Sequence, residues 1–469
     1  MAEGGRLFGT DGIRGRVPGW PLTADLVVRL GQVAAEVLGE AGYAPLALIG
    51  RDTRRSGHML EAAIAAGLME RGVDVASLGV LPTPAVALLA RQLGAGLGVA
   101  ISASHNPASD NGLKFFSGSG FKLPDALEEE IERRVLRGPP SGTRCPVGRS
   151  VTPDVSPEEV YLEALLSRAG RPRLLETWRL VLDCAHGAAY RVAPELFRRL
   201  GAQVIVLNAS PDGENINADC GSEHPQGLRE AVLRERADAG LALDGDGDRL
   251  LLVDERGALL DGDDLLAVLA RDLLARGQLR HNTVVGTVMT NLGLEHTLEA
   301  WGARLERVPV GDRHIVRRML EGDFVLGGEP SGHLLLFGEG ITTGDGLYTA
   351  IKVLGLAVRT RRPLSALSVG VRKYPQVIVN VPAPRQPPLE ALPEVREAQA
   401  RVQERLGAKG RVLLRYSGTQ PLLRVMVEGE DEEIVAWAAD VLAEAAGRAL
   451  AEGGSVSSTA GDAAMEPSE

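Results

Sequence analysis

Apolar runs of strand length alternate with helix-spaced apolar stretches along most of this chain. Residues 46–50, 73–78 and 97–102 read as strands, bounded by glycine, proline or polar clusters. Between them, residues 57–71 and the stretch opening at Pro82-Thr83-Pro84 read as helices, with Ser56 placed to cap the first. Residues 125–137 form a charged helix, after which Gly138-Pro139-Pro140-Ser141-Gly142 breaks the pattern. Ser156-Pro157-Glu158-Glu159 opens the next helix, with proline at its first position and acids in its first turn.

A second block runs strand 180–184, helix 190–200, strand 203–207, helix 225–236, strand 239–243. A third continues with helix 264–275, strand 283–289, helix 292–301, strand 304–308, helix 313–321, strand 324–327 and helix 345–358. Such alternation predicts α/β domains with mostly parallel sheets. Beyond Thr360-Arg361 the order becomes strand 374–381, helix 393–406, strands 412–416 and 422–427, and helix 432–450, an α+β pattern with an antiparallel sheet. The expected division is 1–154, 155–255 and 256–370 as three α/β domains, 371–451 as a smaller α+β domain, and 452–469 as a disordered tail.

Composition narrows the partners. The 469 residues exceed what one core supports, and 44% hydrophobic with 24% charged residues is an ordinary globular balance. A net charge of −11 argues against nucleic acid, and it obliges any anionic substrate to find a locally basic site. Cys145, Cys184 and Cys220 lack paired spacing, which excludes a disulfide framework or a cysteine zinc site. The start has no basic-then-apolar leader pattern and no segment is apolar over a membrane-spanning length, so a cytoplasmic location without a membrane partner is expected.

Candidate chemistry sits at the ends of the strands. Ile101-Ser102-Ala103-Ser104-His105-Asn106-Pro107 carries an apolar run into a polar loop, where open α/β sheets keep their ligand sites. Ser104 can carry a covalent group and His105 can handle a proton. Lys114, in Asp110-Asn111-Gly112-Leu113-Lys114, can neutralise a phosphate. The same residue types also make an ordinary Ser/Asn-rich turn.

The strongest local signal is Asp244-Gly245-Asp246-Gly247-Asp248-Arg249, whose alternating carboxylates can converge on one hard cation. An EF-hand numbered from Asp244 would place Glu255 correctly, but Arg249 stands where that loop needs glycine, and the flanks are strand-like. Mg²⁺ suits the loop better. Gly9-Thr10-Asp11-Gly12-Ile13-Arg14-Gly15 can offer backbone donors and one guanidinium to phosphate, or be a plain turn. In Gly327-Gly328-Glu329-Pro330-Ser331-Gly332-His333 a carboxylate and a hydroxyl stand two residues apart, a pairing that suits adjacent sugar hydroxyls. Upstream, Val310-Gly311-Asp312-Arg313 is a turn opening a helix. Arg415-Tyr416-Ser417-Gly418-Thr419-Gln420-Pro421, with Arg424 beyond, reads as a phosphate cradle, a hairpin turn, or both.

With these motifs in that order and spacing, residues 6–450 resemble the α-D-phosphohexomutase superfamily. The resemblance implies three similar α/β domains and a smaller C-terminal α+β domain around a central cleft, each contributing one loop. It implies Ser104 as a phosphoserine, and Asp244, Asp246 and Asp248 holding Mg²⁺ with the phosphoryl oxygen of Ser104. Arg14, His105, Lys114 and Arg249 would line the transfer site. Glu329, Ser331 and His333, with Asp312 and Arg313, would meet the sugar. Arg415, Ser417, Gly418, Thr419 and Arg424 would clamp the non-reacting phosphate.

Gln420 departs from the glutamate common in the superfamily, which touches only the surroundings of that loop. The opening Gly-Thr-Asp-Gly-Ile-Arg-Gly tilts the resemblance toward the glucosamine branch. That branch implies exchange of glucosamine 6-phosphate and glucosamine 1-phosphate, activated by a hexose 1,6-bisphosphate and feeding cell-wall precursors. Glucose and mannose phosphates are the alternative substrates, and either Lys114 or His105 is the proton handler. The implied partner is a small sugar phosphate, with room for a homodimer. A calcium-binding protein would use the acidic loop alone. A serine hydrolase is excluded because Ser104 lacks Gly-x-Ser-x-Gly surroundings.

Overall fold

The computed structural model describes residues 6–139, 146–368, 370, 372–416 and 421–451. Cys145, Ser417, Gly418, Thr419 and the tail 452–469 lie outside the described residues. The first segment contains β1 (Ile13–Arg16), α1 (Ala24–Glu40), β2 (Leu46–Arg51), α2 (Gly57–Glu70), β3 (Asp74–Val80), α3 (Thr83–Gln92), β4 (Leu97–Ile101), β5 (Asp110–Ser117), α4 (Asp125–Arg137) and β6 (Ser150–Val151). Its strands form one sheet in the order β1-β5-β4-β2-β3-β6. β4, Leu-Gly-Val-Ala-Ile, is buried at every residue, as a strand covered on both faces must be. Against this sheet α1 and α2 pack with their backbones close together. A Cβ added at Gly67 would lie 2.1 Å from the Val28 carbonyl oxygen, so only glycine fits there.

This sheet is mostly parallel, as the alternation predicts, but two of its pairings are antiparallel. β2 runs parallel to β3 and β4, and β3 to β6, but β5 runs antiparallel to β4 and β1 to β5. The cause is local. Residues 110–114 look like loop but continue into Phe115 and Phe116, whose burial draws the whole run alongside β4. Ser56 also differs from expectation. It precedes α2 without capping it, and its hydroxyl accepts a hydrogen bond from Asn111 Nδ2 at 2.9 Å. The apolar rhythm of α1 goes unassigned in the pattern reading above.

The second segment comprises α5 (Pro157–Ser167), β7 (Arg179–Asp183), α6 (Val192–Arg199), β8 (Gln203–Leu207), α7 (Gln226–Glu235), β9 (Ala239–Leu243), β10 (Leu250–Asp254) and β11 (Leu259–Leu260). Here Ser156 does cap its helix, accepting the Glu159 N–H at 3.4 Å. The strand order is β11-β10-β9-β7-β8, and the acidic run joins β9 to β10 as an antiparallel hairpin. The third segment comprises α8 (Gly262–Ala275), β12 (Thr283–Thr287), α9 (Leu292–Ala300), β13 (Arg304–Val308), α10 (Asp312–Glu321), β14 (Leu326–Gly328), β15 (Leu334–Leu336), α11 (Gly346–Thr360) and α12 (Leu364–Leu367). Its order is β13-β12-β14-β15, with Glu329 to His333 in the β14–β15 hairpin.

The last segment comprises β16 (Gln376–Pro382), α13 (Pro393–Leu406), β17 (Gly410–Tyr416), β18 (Leu422–Gly429) and α14 (Glu432–Ala451). Its antiparallel order is β16-β18-β17, as the change of pattern predicts. The chain divides into two compact units, Met1–Thr290 with Thr297–Val371, and Asn291–His296 with Arg372–Glu469. No described helix is long and apolar enough to cross a membrane. Cys184 and Cys220 are free and buried.

Candidate active site

Ser104 emerges one turn past the buried end of β4. Its φ of +53° lies in the left-handed region that serine rarely adopts, so something must hold it there. Its N–H donates to Ser102 Oγ at 2.9 Å, and its carbonyl accepts from Arg54 Nη2 at 3.0 Å and Asn217 Nδ2 at 2.9 Å. Ser102 in turn donates to Asp52 Oδ2 at 2.6 Å, and Arg54 Nε donates to the same oxygen at 2.8 Å. This ring of hydrogen bonds aims the Ser104 hydroxyl, which donates to Asp244 Oδ2 at 2.5 Å.

The acidic loop meets it across 140 residues of chain. Among the described residues, Asp244, Asp246 and Asp248 form the group whose carboxylate oxygens lie within 4.8 Å of one another, and all three are buried. A Cβ at Gly245 would sit 2.5 Å from the Ser104 carbonyl oxygen, so the loop touches the serine only because that residue is glycine. Burial, then the charges of Asp248 and Asp246, push the Asp244 carboxyl well above its ordinary range. Burial also opposes the charge on Asp248, yet Lys114 and His333 hold it well below that range. Among the described residues, Asp246 Oδ1 is buried without a hydrogen-bond partner, and Asp248 Oδ1 has only the His333 ring nitrogen, 3.5 Å away. A crowded oxygen cluster with an orphaned acceptor is what a hard divalent cation would satisfy.

Lys114 projects from β5 into this cluster. Its ammonium lies 2.8 Å from Asp246 Oδ2, 3.1 Å from Asp248 Oδ2 and 3.1 Å from Asp11 Oδ2. Burial disfavours the charge, but these three carboxylates raise its pKa well above the lysine norm. Arg14 pairs with Asp11, and its Nε is buried without a partner among the described residues. The Arg249 N–H donates to Asp244 Oδ1 at 3.2 Å, while its guanidinium reaches Glu223 at 3.5 Å. His105 Nδ1 lies 3.5 Å from Ser104 Oγ, and burial with the nearby charges of Arg249 and Arg14 pushes its imidazole down to about 4.

The Glu329 hairpin adjoins the same centre. His333 Nδ1 lies 3.5 Å from Asp248 Oδ1 and its Nε2 lies 3.8 Å from Asp312 Oδ2. Burial would lower its pKa, but Asp248, Asp312 and Glu329 push it up to about 9. Glu329 Oε1 accepts the Gly311 N–H at 3.1 Å, and among the described residues Ser331 Oγ is buried without a partner. Arg313 is turned elsewhere: its guanidinium bonds Asp125 at 2.6 Å and also Glu128, both on α4. In the second unit, Arg415 and Arg424 stand directly opposite each other on β17 and β18. Like charges so placed repel, and the Arg424 Nε is buried without a partner among the described residues.

The first unit thus gathers Ser104, His105, Lys114, Arg14, Arg249, the three aspartates, His333 and Asp312 around one centre. Motif reading passes over Asp52, Arg54, Thr83 and Asn217. Thr83 Oγ1 donates to Asp246 Oδ2 at 2.6 Å, and Asn217 also donates to the Asn106 carbonyl at 3.1 Å. The signal for Asp52 and Arg54 was present, since both follow the strand 46–50 at the ligand-bearing end of the sheet. For Asn217 no comparable signal exists.

Known proteins share this layout. Successive segments match the phosphoglucomutase/phosphomannomutase alpha/beta/alpha domain I over residues 5–140, domain II over 159–257, domain III over 261–374 and the C-terminal domain over 378–445. The phosphoglucosamine mutases of Symbiobacterium thermophilum and Halorhodospira halophila are each 50% identical to the chain, covering 91% and 94% of it and 95% and 97% of their own lengths. A phosphoglucomutase/phosphomannomutase family protein of Burkholderia thailandensis has a crystal structure that matches with a TM-score of 0.78 at 25% identity. That match covers 94% of this chain and 97% of that one. The Aspergillus fumigatus N-acetylphosphoglucosamine mutase, crystallised with GlcNAc-6P and magnesium, shares the fold at 17% identity with a TM-score of 0.64, over 95% and 96% of the two chains. On identity and coverage together, the chain belongs to the phosphoglucosamine mutase family of the phosphoglucomutase/phosphomannomutase superfamily.

Proposed function

We propose that this chain interconverts glucosamine 6-phosphate and glucosamine 1-phosphate through a phosphorylated Ser104 and a 1,6-bisphosphate, with Mg²⁺ as cofactor. The observation that carries this reading is the 2.5 Å hydrogen bond from Ser104 Oγ to Asp244, at the edge of three buried carboxylates. Relatives of 50% identity that bear the phosphoglucosamine mutase name support the choice of sugar. Asp244, Asp246 and Asp248, three buried carboxylates whose oxygens crowd within 4.8 Å, fit a hard cation, and would hold it together with a phosphoryl oxygen on Ser104. When bound, the cation supplies positive charge to the transferring group.

In the transfer, the P–Oγ bond of Ser104 breaks as a bond to the sugar O1 forms, and the O1 proton leaves to a group in the site. The reverse exchange at O6 restores the serine ester. Arg14, Arg249 and Lys114, the last held as an ammonium by three carboxylates, would offset the charge that develops, and His105, 3.5 Å from Ser104 Oγ, is placed to accept the proton. Glu329 and Ser331 suit sugar hydroxyls, with His333 and Asp312 behind them. Arg313, already held by two carboxylates, is better read as a strut to α4.

The experiment is a parallel assay of glucosamine, glucose and mannose 6-phosphates with Mg²⁺ and a bisphosphate activator. Glucosamine 6-phosphate is expected to lead in kcat/KM by about tenfold or more. A lead by glucose or mannose phosphate would reassign the substrate and leave the chemistry intact. In the second unit, the facing Arg415 and Arg424 are relieved by a bound phosphate dianion. Each charge-assisted hydrogen bond there contributes about 1.5–3 kcal/mol. Arg415→Ala should therefore raise KM by about one to two decades. Steady-state kinetics with an unchanged KM would remove Arg415 from the clamp.

A further inference from the structure

One cavity in the first unit, about 960 Å³, contains neither Ser104, nor the acidic loop, nor the Glu329 hairpin turn. Its walls come from the connection after α5, from α8, from α11 and from the residues around β15. The floor is apolar, built from Leu174, Leu273, Phe337, Ile351 and Leu356 among others. Charge at the rim is the unexpected part. Seven arginine or lysine side chains line it against two carboxylates, Asp272 and Glu339, in a chain whose net charge is −11. Asp272 is taken up by Arg276 and Arg359, and Glu339 by Lys352 at 2.8 Å. Arg168, Arg171 and Arg361 have no carboxylate within ion-pair distance among the described residues. Arg168 is instead oriented by the carbonyls of Ala164 and Glu339.

We propose that this cavity is a second ligand site, for a small phosphorylated anion with a flat apolar body, of the nucleotide class. Three features select that chemistry. The volume falls in the range of about 300–1,000 Å³ that small-molecule sites occupy. The apolar floor gives a base or similar ring a surface to cover, which a bare phosphate could not use. Guanidinium forks match phosphate oxygens in pairs and stack on planar rings, so an arginine rim above an apolar floor suits an anion that carries both a phosphate and a flat ring. Ordinary solvated arginines would be dispersed over convex surface, whereas these converge on one concavity, seven cationic side chains against two carboxylates. The site rests on the cavity alone and stands whether or not the mutase reading of Ser104 holds.

The test uses the full-length chain with Mg²⁺ and a fluorescent nucleotide, N-methylanthraniloyl-ADP, titrated with and without saturating glucose 1,6-bisphosphate. Saturable binding with Kd below about 1 mM is expected, shifted less than about twofold by the bisphosphate. Arg171→Glu/Arg361→Glu should weaken it by about tenfold or more while the sugar-phosphate rate stays at the wild-type value. Absence of saturation, displacement by the bisphosphate, or full binding by the double variant would each overturn the site. Inorganic tripolyphosphate competing as well as unlabelled ADP would overturn the assignment of a flat body.

Discussion

Ser104→Ala is expected to abolish sugar-phosphate interconversion, with a loss of about 10⁴-fold or more, while the chain stays folded. The reasoning separates what the hydroxyl does from what holds it. The left-handed turn at residue 104 is secured through its own N–H and carbonyl, by Ser102, Arg54 and Asn217, none of which touches the side chain. Removing Oγ deletes one hydrogen bond to Asp244, which keeps the Arg249 N–H at 3.2 Å. Thermal denaturation should move by only about one degree, corresponding to about 1 kcal/mol in a unit of this size. Intact mass gives an independent reading. Wild-type protein should contain a species heavier by one phosphoryl group, and the variant should lack it. A variant that turns substrate over at a tenth of the normal rate, or still carries the added mass, would move the phosphoryl group to another residue.

How much of this could be read from the chain follows from what each residue is buried against. The strand–helix grammar is legible because β4, β9 and the helices around them bury apolar side chains at their own periods, and α13 starts and ends where its spacing predicts. The acidic loop is legible because three carboxylates at alternate positions have few other uses. β5 was hidden for the opposite reason. Asn111 and Lys114 are buried polar residues whose partners, Ser56 and the aspartates, lie far away in the chain, and no local pattern announces them. Ser56 failed as a cap for the same cause, its hydroxyl being claimed from outside its own helix. Arg313 reads as a sugar ligand by position, yet α4 supplies two carboxylates that only the folded chain brings near. Local motifs therefore locate the chemistry, and tertiary pairing decides which charges remain free to perform it.

Arg54→Ala should be the most damaging single change outside the transfer site itself, because one fully buried guanidinium closes the serine loop. It donates to the carbonyls of Ser104 at 3.0 Å, Asn106 at 2.8 Å and Asp110 at 3.0 Å, and also to Pro107, while pairing with Asp52 at 2.8 Å. Truncation leaves the Asp52 carboxylate buried without its cation and four carbonyls short of a donor. Breaking a buried pair in this way costs about 3–5 kcal/mol. Burial already raises the Asp52 pKa against the pull of Arg54, so the orphaned acid will take up a proton, and part of the cost is recovered. The loop geometry is not recovered. A shift of about 1 Å at Ser104 Oγ is enough to lower kcat by about a hundredfold. Arg54→Lys tests the shape of the donor: a single ammonium keeps the charge beside Asp52 but cannot reach four carbonyls, so stability should return further than rate. Asp52→Asn combined with Arg54→Met removes the buried charge altogether and should unfold later in urea than Arg54→Ala, with kcat still low. If Arg54→Ala unfolds within about 1 kcal/mol of the wild type and retains half its rate, the carbonyl clamp is incidental and Ser104 is held by Asn217 and Ser102 alone.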